Sequence, residues 1–260
     1  MKTLKFLISI VFLLFFIVVF GNRAFSQEVI HISTKKNVYN VYSKFIFSQD
    51  FSSYQDQGYL DKKEVYIPVK RIMQMPSLPR GCEVVALTML LNHAGVDVTK
   101  EEIVSKVRKN PMEYCNIDGQ IYFGSPANGF VGDIYTFENP GLGVYHRPIY
   151  EAARYYLGDN AMDMTGDYFD DIMSHMDMGY PVWVIVNAKY KMLPEDMWEM
   201  WITEDGKTKI TRWMHSVLLT GYDRDYIYFN DPLGKVEKAD RIDFIEAWEQ
   251  MGRQAISYMN

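Results

Sequence analysis

Apolar positions along the chain change period several times, and each change marks an element. Val84, Leu87 and Leu91 recur at helical spacing directly after Gln74 to Gly81, a stretch that holds Pro76 and Pro79. The spacing predicts a helix that begins at Cys82 and stops before Gly95, entered from a stiff, irregular loop. Thr99-Lys-Glu-Glu102 reads as a capping box and predicts a second helix, ending before Asn110-Pro111. Pro148 to Tyr156 and Tyr168 to Met178 are further helical segments, the latter stopped at Gly179-Tyr-Pro181. Val182 to Val186 is a continuous apolar run, which predicts a strand covered on both faces. Trp213 to Tyr222 and Tyr226 to Asn230 are β-prone and flank a turn at Asp223 to Asp225, so they predict a hairpin. Val65 to Val69 predicts a short strand ahead of the loop. A last amphipathic helix carries Phe244, Trp248 and Met251, and Gln254 to Tyr258 predicts a closing strand.

Two stretches lack such a pattern. Cys115 to Val144 contains Gly119, Gly124, Gly129, Gly132, Gly141 and Gly143, and is expected as a long loop forming one wall of a cleft. No strand precedes these glycines and no Lys-Ser/Thr follows, so they do not match a phosphate-binding fingerprint. Asn187 to Arg212 sets Trp198 and Trp201 among charges and is expected to run over the surface. Internal repeats are absent. A helix-rich first half and a β-rich second half indicate α+β segregation rather than alternating βαβ units.

The first residues change the picture of compartment. Lys2 and Lys5 precede the apolar run Phe6 to Phe20, and Ala24-Phe25-Ser26 supplies small residues at the spacing a signal peptidase reads. Residues 1–26 are expected to be a signal peptide, or an uncleaved membrane anchor, and the protein to be exported. Residues 27–63 are polar and aperiodic, a spacer or a pro-segment, which leaves 64–260 as the folded domain. The formal charge of -6 provides no basic patch, which argues against a nucleic-acid partner. Membrane contact is expected only through the N-terminal segment. With two cysteines in an exported chain, Cys82 and Cys115, the default expectation is a disulfide, although a domain of this size does not need the staple.

Candidate chemistry starts at Cys82. A residue at a helix mouth lies among backbone N–H groups without intrahelical partners, and the dipole there favours a thiolate. The competing reading is a small buried hydrophobe. Five histidines are present. His31 lies in the spacer, His93 and His175 near helix C-termini where a cation suits the dipole, and His146 at a helix start. His215 differs, because it opens an apolar strand and a buried imidazole needs a partner for each nitrogen. Pairing of the hairpin brings the start of one strand beside the end of the other, so Asp231, held extended by Pro232, is the expected partner. Gln74 supplies an amide upstream of the thiol that could donate to an oxyanion. These groups suit nucleophilic catalysis, in which a thiolate needs a base and the base an orienter. No Cys-x-x-Cys or His-x-x-x-His spacing exists, so neither a metal nor a cofactor is expected. Asp170 and Asp171 read as a solvated helix face.

Gln74-x-Pro-x-Leu-Pro-x-Gly81-Cys82-Glu83, Met214-His215-Ser-Val-Leu-Leu-Thr-Gly-Tyr-Asp223 and Asn230-Asp231-Pro232 together closely resemble the stand-alone exported branch of the double-glycine (bacteriocin-leader) peptidase-like family. That family belongs to the papain-like cysteine peptidases. Phe130-Val-Gly132, Gly141-Leu-Gly-Val-Tyr145 and Gly179-Tyr-Pro181 are similar to its intervening blocks, and the likeness spans about Val65 to Asn260. It implies a papain-like α+β fold, with the nucleophile's helix packed on a small antiparallel sheet. It further implies Cys82 as nucleophile, His215 as base, Asp231 as orienter, Gln74 as oxyanion donor, and a peptide substrate cleaved through a thioester. The gap from Gln74 to Cys82 is longer than in transporter-linked members, and a double-glycine leader is therefore not implied. Hydrolysis of a cell-wall peptide or acyl transfer would use the same residues. A catalytically silent, disulfide-stapled surface-binding module is the alternative of another class.

Overall fold

The apolar run read as a doubly covered strand lies inside a large sheet with helices on both faces. The structure, a computed structural model, describes residues 64–260. In chain order it comprises β1 (Val65–Tyr66), α1 (Cys82–His93), α2 (Lys100–Val104), β2 (Cys115–Ile117), β3 (Gln120–Tyr122), α3 (His146–Leu157), β4 (Ala161–Asp163), α4 (Phe169–Asp177) and β5 (Val182–Asn187). There follow β6 (Glu199–Thr203), β7 (Gly206–Ile210), β8 (Met214–Tyr222), β9 (Tyr226–Asn230), β10 (Lys238–Asp240), α5 (Arg241–Gln250) and β11 (Ala255–Tyr258). The two segments expected at the N-terminus, residues 1–26 and 27–63, lie outside the described residues.

Every residue of β5 is buried, and alternation along it divides the core. Trp183 and Ile185 pack with Leu87, Leu90 and Leu91 of α1 and Ile149 of α3. Val182, Val184 and Val186 face the other way, towards Ile172 of α4 and Phe244 and Trp248 of α5. Helix α1 is buried from Cys82 through Leu91, without a solvent face, because sheet, helices and loop enclose it on all sides. Its first turn is therefore fixed in space, which matters for any chemistry at Cys82.

The main sheet runs β10-β9-β8-β5-β11-β4, with β1 on β8, and every pairing in it is antiparallel. Seven strands make it larger than the small sheet expected. Strand β1 is also shorter than expected, and α2 ends at Val104, although its Thr99 capping box is present as read. A second sheet, β2-β3-β6-β7, corrects two expectations, since it is built from the supposed loop and the supposed surface excursion. Its strands are short and mostly half-exposed, so no long apolar alternation announces them. Trp201, Phe123, Val131 and Ile210 form a small separate core beneath it.

The hairpin β8–β9 contains a bulge that decides the site. Tyr222 pairs with Ile227 and Gly221 with Tyr228, but the register then slips, so Leu219 meets Phe229 and Leu218 meets Asn230. Thr220 is the extra residue. Without the slip Asp231 would stand opposite Leu218, on the face away from His215. With it, Asp231 comes level with Val217 and shares a face with His215 two positions along. Gly221 is needed here because a Cβ would collide with the Val65 carbonyl oxygen. Gly221→Ala is expected to destabilise the domain by about 1–3 kcal/mol, as overpacking does. Thermal unfolding checks this, and a parent-like midpoint would refute it.

Candidate active site

The loop before α1 is tied to the end of β9. The Gln74 N–H donates to the Pro232 carbonyl at 2.9 Å, and the Asn230 side-chain amide donates to the Val69 carbonyl at 2.9 Å. Two turns follow, Leu78 N–H to Gln74 O and Gly81 N–H to Leu78 O, both at 2.9 Å, with Leu78 fully buried as their anchor. The Gln74 side chain is buried, and its Nε2 donates to the Pro79 carbonyl at 2.6 Å. One Nε2 hydrogen thus remains for another acceptor. The Gln74 Oε1 is buried without a partner.

Cys82 is the first residue of α1 and is 8% exposed. Its thiol donates to Glu83 Oε2 at 3.3 Å, and its sulfur accepts from the backbone N–H of Ser216, the residue after His215. The expectation of a thiol acidified by the helix mouth is reversed in this arrangement. Burial first, and then the Glu83 carboxylate beside it, push the Cys82 thiol well above its ordinary value, against the weaker pull of the Ser216 and Glu83 N–H groups. Glu83 was not singled out in the sequence as a functional residue. It is 1% exposed, and burial pushes its carboxyl up to about 7, opposed by the Val144 N–H that donates to Oε1 at 3.0 Å.

His215 and Asp231 meet as the hairpin argument anticipates, with Nε2 to Oδ1 at 2.8 Å and both side chains buried. Asp231 also accepts from the backbone N–H groups of Leu233 at 2.8 Å and Lys235 at 3.3 Å. Burial raises its pKa, but the hydrogen bond and charge of His215, with those N–H groups, hold the carboxyl below its usual range. Because Nε2 is committed to Asp231, Nδ1 is the nitrogen left to exchange a proton with a reactant.

Tyr190 is a further member that sequence reading missed. Its hydroxyl donates to Asp231, and its ring centroid lies 6.2 Å from that of His215. Burial and the Asp231 carboxylate both raise its pKa, so it stays a donor. Asn187, buried at the end of β5, builds the turn that presents it: Oδ1 accepts from Lys189 N–H and Nδ2 donates to the Lys191 carbonyl. An Asn that closes a buried apolar strand was the available signal.

The His215–Asp231 pair stands at the head of β8, and the N–H of the next residue, Ser216, reaches the Cys82 sulfur at the start of α1. The model of the Peptidase_C39-like family matches residues 66–256. The chain belongs to that family. It is 45% identical over 185 residues to the uncharacterized protein YvpB of Bacillus subtilis (strain 168), covering 71% of each chain. It is 40% identical, with a TM-score of 0.71, to the crystal structure of a protein described as a C39-like peptidase from Bacillus anthracis, covering 76% of this chain and 98% of that one. Membership supports a cysteine peptidase function, and the papain-like α+β fold implied by the three sequence motifs is the fold observed.

Within this C39-like domain the remaining candidates separate cleanly. Cys82 and Cys115 are both free thiols, the first buried and the second exposed on β2, so the disulfide expectation and the stapled-module alternative fall. His93 and His175 are structural, but not as cations. Burial lowers both pKa values, and each is held by the C-terminal strand: His93 Nδ1 to the Tyr258 hydroxyl at 2.8 Å, His175 Nε2 to Ser257 Oγ at 2.9 Å. His146 pairs with the Gln254 side chain at the edge of a cavity of about 440 Å³ that Tyr145 and Trp198 also line.

Proposed function

We propose that this chain is an exported cysteine peptidase that hydrolyses a peptide or amide bond through a thioester on Cys82. The observation that carries the reading is the buried His215–Asp231 pair beside a thiol fixed at the first turn of α1. The Cys82 sulfur attacks the scissile carbonyl carbon, and the carbonyl electron pair becomes an oxyanion. The backbone N–H groups at the mouth of α1 and the uncommitted Gln74 Nε2 hydrogen are the donors available to it. His215 takes the thiol proton at Nδ1 as the sulfur attacks, and passes it to the leaving amine as the C–N bond breaks, leaving the thioester. It then takes a proton from water, which attacks the thioester, and returns that proton to the departing sulfur. Asp231 holds the tautomer throughout, and the Tyr190 hydroxyl holds Asp231. The partner is a peptide-containing substrate, and export rests on residues 1–26.

The test is to incubate protein isolated from the exported fraction with peptide libraries and with peptidoglycan fragments, read by mass spectrometry. The expected result is new amine and carboxylate termini at a repeated bond, together with a trapped acyl adduct on Cys82. The same spectra report whether the chain begins at Gln27, after signal removal, or at Met1, with an anchor retained. Intact substrates of both kinds, with Cys82 unmodified, would refute the reading.

A further inference from the structure

The loop that carries Gln74 is held from a side that the proposed reaction does not use, the first turn of α2. Lysine is the wrong charge for that place, because the dipole at a helix start favours acids. Lys100 is nevertheless the first residue of α2. It is half-buried, and its Nζ donates to the Met73 carbonyl at 2.7 Å and to the Gln74 carbonyl at 3.2 Å. Beside it, Glu101 Oε1 accepts from Ser77 Oγ at 2.9 Å, so both residues reach the same loop. The turn they stand on is itself fixed by the Thr99–Glu102 capping box. The consequence falls on Gln74. The peptide group between Met73 and Gln74 is bonded at both ends, its N–H to the Pro232 carbonyl at 2.9 Å and its oxygen to Lys100. The next peptide oxygen, that of Gln74, takes Lys100 together with the Leu78 N–H at 2.9 Å. One ammonium thus holds both peptide groups that flank the Gln74 Cα, and from that Cα the buried side chain leads to Nε2.

We propose that Lys100 is a positioning residue for the reaction, whose ammonium holds Gln74 so that its free Nε2 hydrogen is already aimed when the oxyanion forms. This rests on the reading of Cys82 as nucleophile and Gln74 as oxyanion donor. The physical reason is preorganisation. A donor stabilises a developing charge best when it need not turn towards it at that moment, and a misplacement of about 1 Å costs roughly 10²-fold in rate. Carbonyls bonded to an ammonium are held by charge-assisted bonds, about twice as strong as neutral ones. Water in place of Nζ would satisfy the same carbonyls, but it is not tethered to the chain and would pass no position from α2 to Gln74. Lys100 acts through Gln74 alone: no bond forms or breaks at it, and its protons stay in place.

The test is a double-mutant cycle read in kcat and KM on a peptide that the parent cleaves. Lys100→Met keeps most of the side-chain length and removes its donors. It is expected to lower kcat by about 10- to 10²-fold while KM stays within about twofold, since the oxyanion exists only in the transition state. Lys100→Arg, which can still donate to both carbonyls, is expected to recover most of the loss. Gln74→Ala removes the oxyanion donor itself, so adding Lys100→Met to it is expected to cost less than about twofold more. A residue that supported only the fold would cost the same factor in both backgrounds, and that additive result overturns the proposal. An unchanged kcat in Lys100→Met, or in Gln74→Ala, also overturns it. Should Lys100→Met fail to fold, Lys100→Gln is read in the same cycle with the same expectations. A parent without turnover ends the peptidase reading and this proposal together, whereas a cleaving parent with additive or unchanged variants ends this proposal alone.

Discussion

Cys82→Ser is expected to lose hydrolysis by roughly 10⁶ in kcat, the scale on which removal of a nucleophile acts, while unfolding stability stays nearly unchanged. The stability half follows from the contacts. A serine hydroxyl can still donate to Glu83 Oε2 and accept the Ser216 N–H, and α1 keeps its packing. The activity half follows from acidity, since an alcohol is far less ionised than a thiol and neither Glu83 nor His215 can strip it at neutral pH. Cys115→Ser, at an exposed position on β2, is the control and should behave as the parent. Product mass spectra and thermal unfolding measured side by side check both halves. A serine variant with parent-like turnover would end the nucleophilic assignment and leave a C39-like fold without its chemistry.

Asp231→Asn is expected to cost roughly 10⁴ in kcat, as loss of an orienting carboxylate does. Four donors converge on this side chain: His215 Nε2, the Leu233 and Lys235 N–H groups, and the Tyr190 hydroxyl. A carboxylate accepts from all four, whereas an amide turns two of its own hydrogens towards donors. His215 then loses the tautomer that exposes Nδ1, and the turn after β9 loses a capping acceptor. A stability loss of about 1–3 kcal/mol should accompany the kinetic one, the usual cost of leaving buried donors unpaired. The sign with pH is fixed by the depressed carboxyl. A folded-state pKa below the unfolded one stabilises above the unfolded value, about 3.9, and that gain is lost as pH falls through the folded value. The parent should therefore lose stability on acidification below about pH 4, and the asparagine variant should show less of that slope. Equal slopes, or wild-type kcat in the variant, would remove Asp231 from the site.

Much of this site was legible because its signals are local. Pro76, Pro79 and Gly81 bar any regular element before Cys82, and the apolar spacing behind them sets the helix start. His215 at the head of an apolar strand and Asp231 before Pro232 announce themselves as polar groups where burial is certain. Tyr190 and Glu83 were not legible in the same way. Tyr190 reaches Asp231 from a turn on β5, a strand separated from β9 by β8, and nothing in its neighbours states that distance. Glu83 resembles any first-turn acid until the Gly143–Val144 segment is seen to close over it.

What the sequence by itself determined is the set of elements with long, strong periodicity: α1, β5, the β8–β9 hairpin and the residues at their ends. Such elements follow from which residues can be buried together, a property carried by neighbours along the chain. The tertiary structure alone decided three further things. It assembled β2, β3, β6 and β7 into a second sheet, because strands so short gain their stability from partners rather than from their own pattern. It inserted Thr220 as the extra residue of the hairpin, and a one-residue slip turns a whole face, so the meeting of Asp231 with His215 depends on it. It also buried Cys82 against Glu83, where loss of hydration outweighs the helix dipole and raises the thiol that the local sequence alone would have acidified.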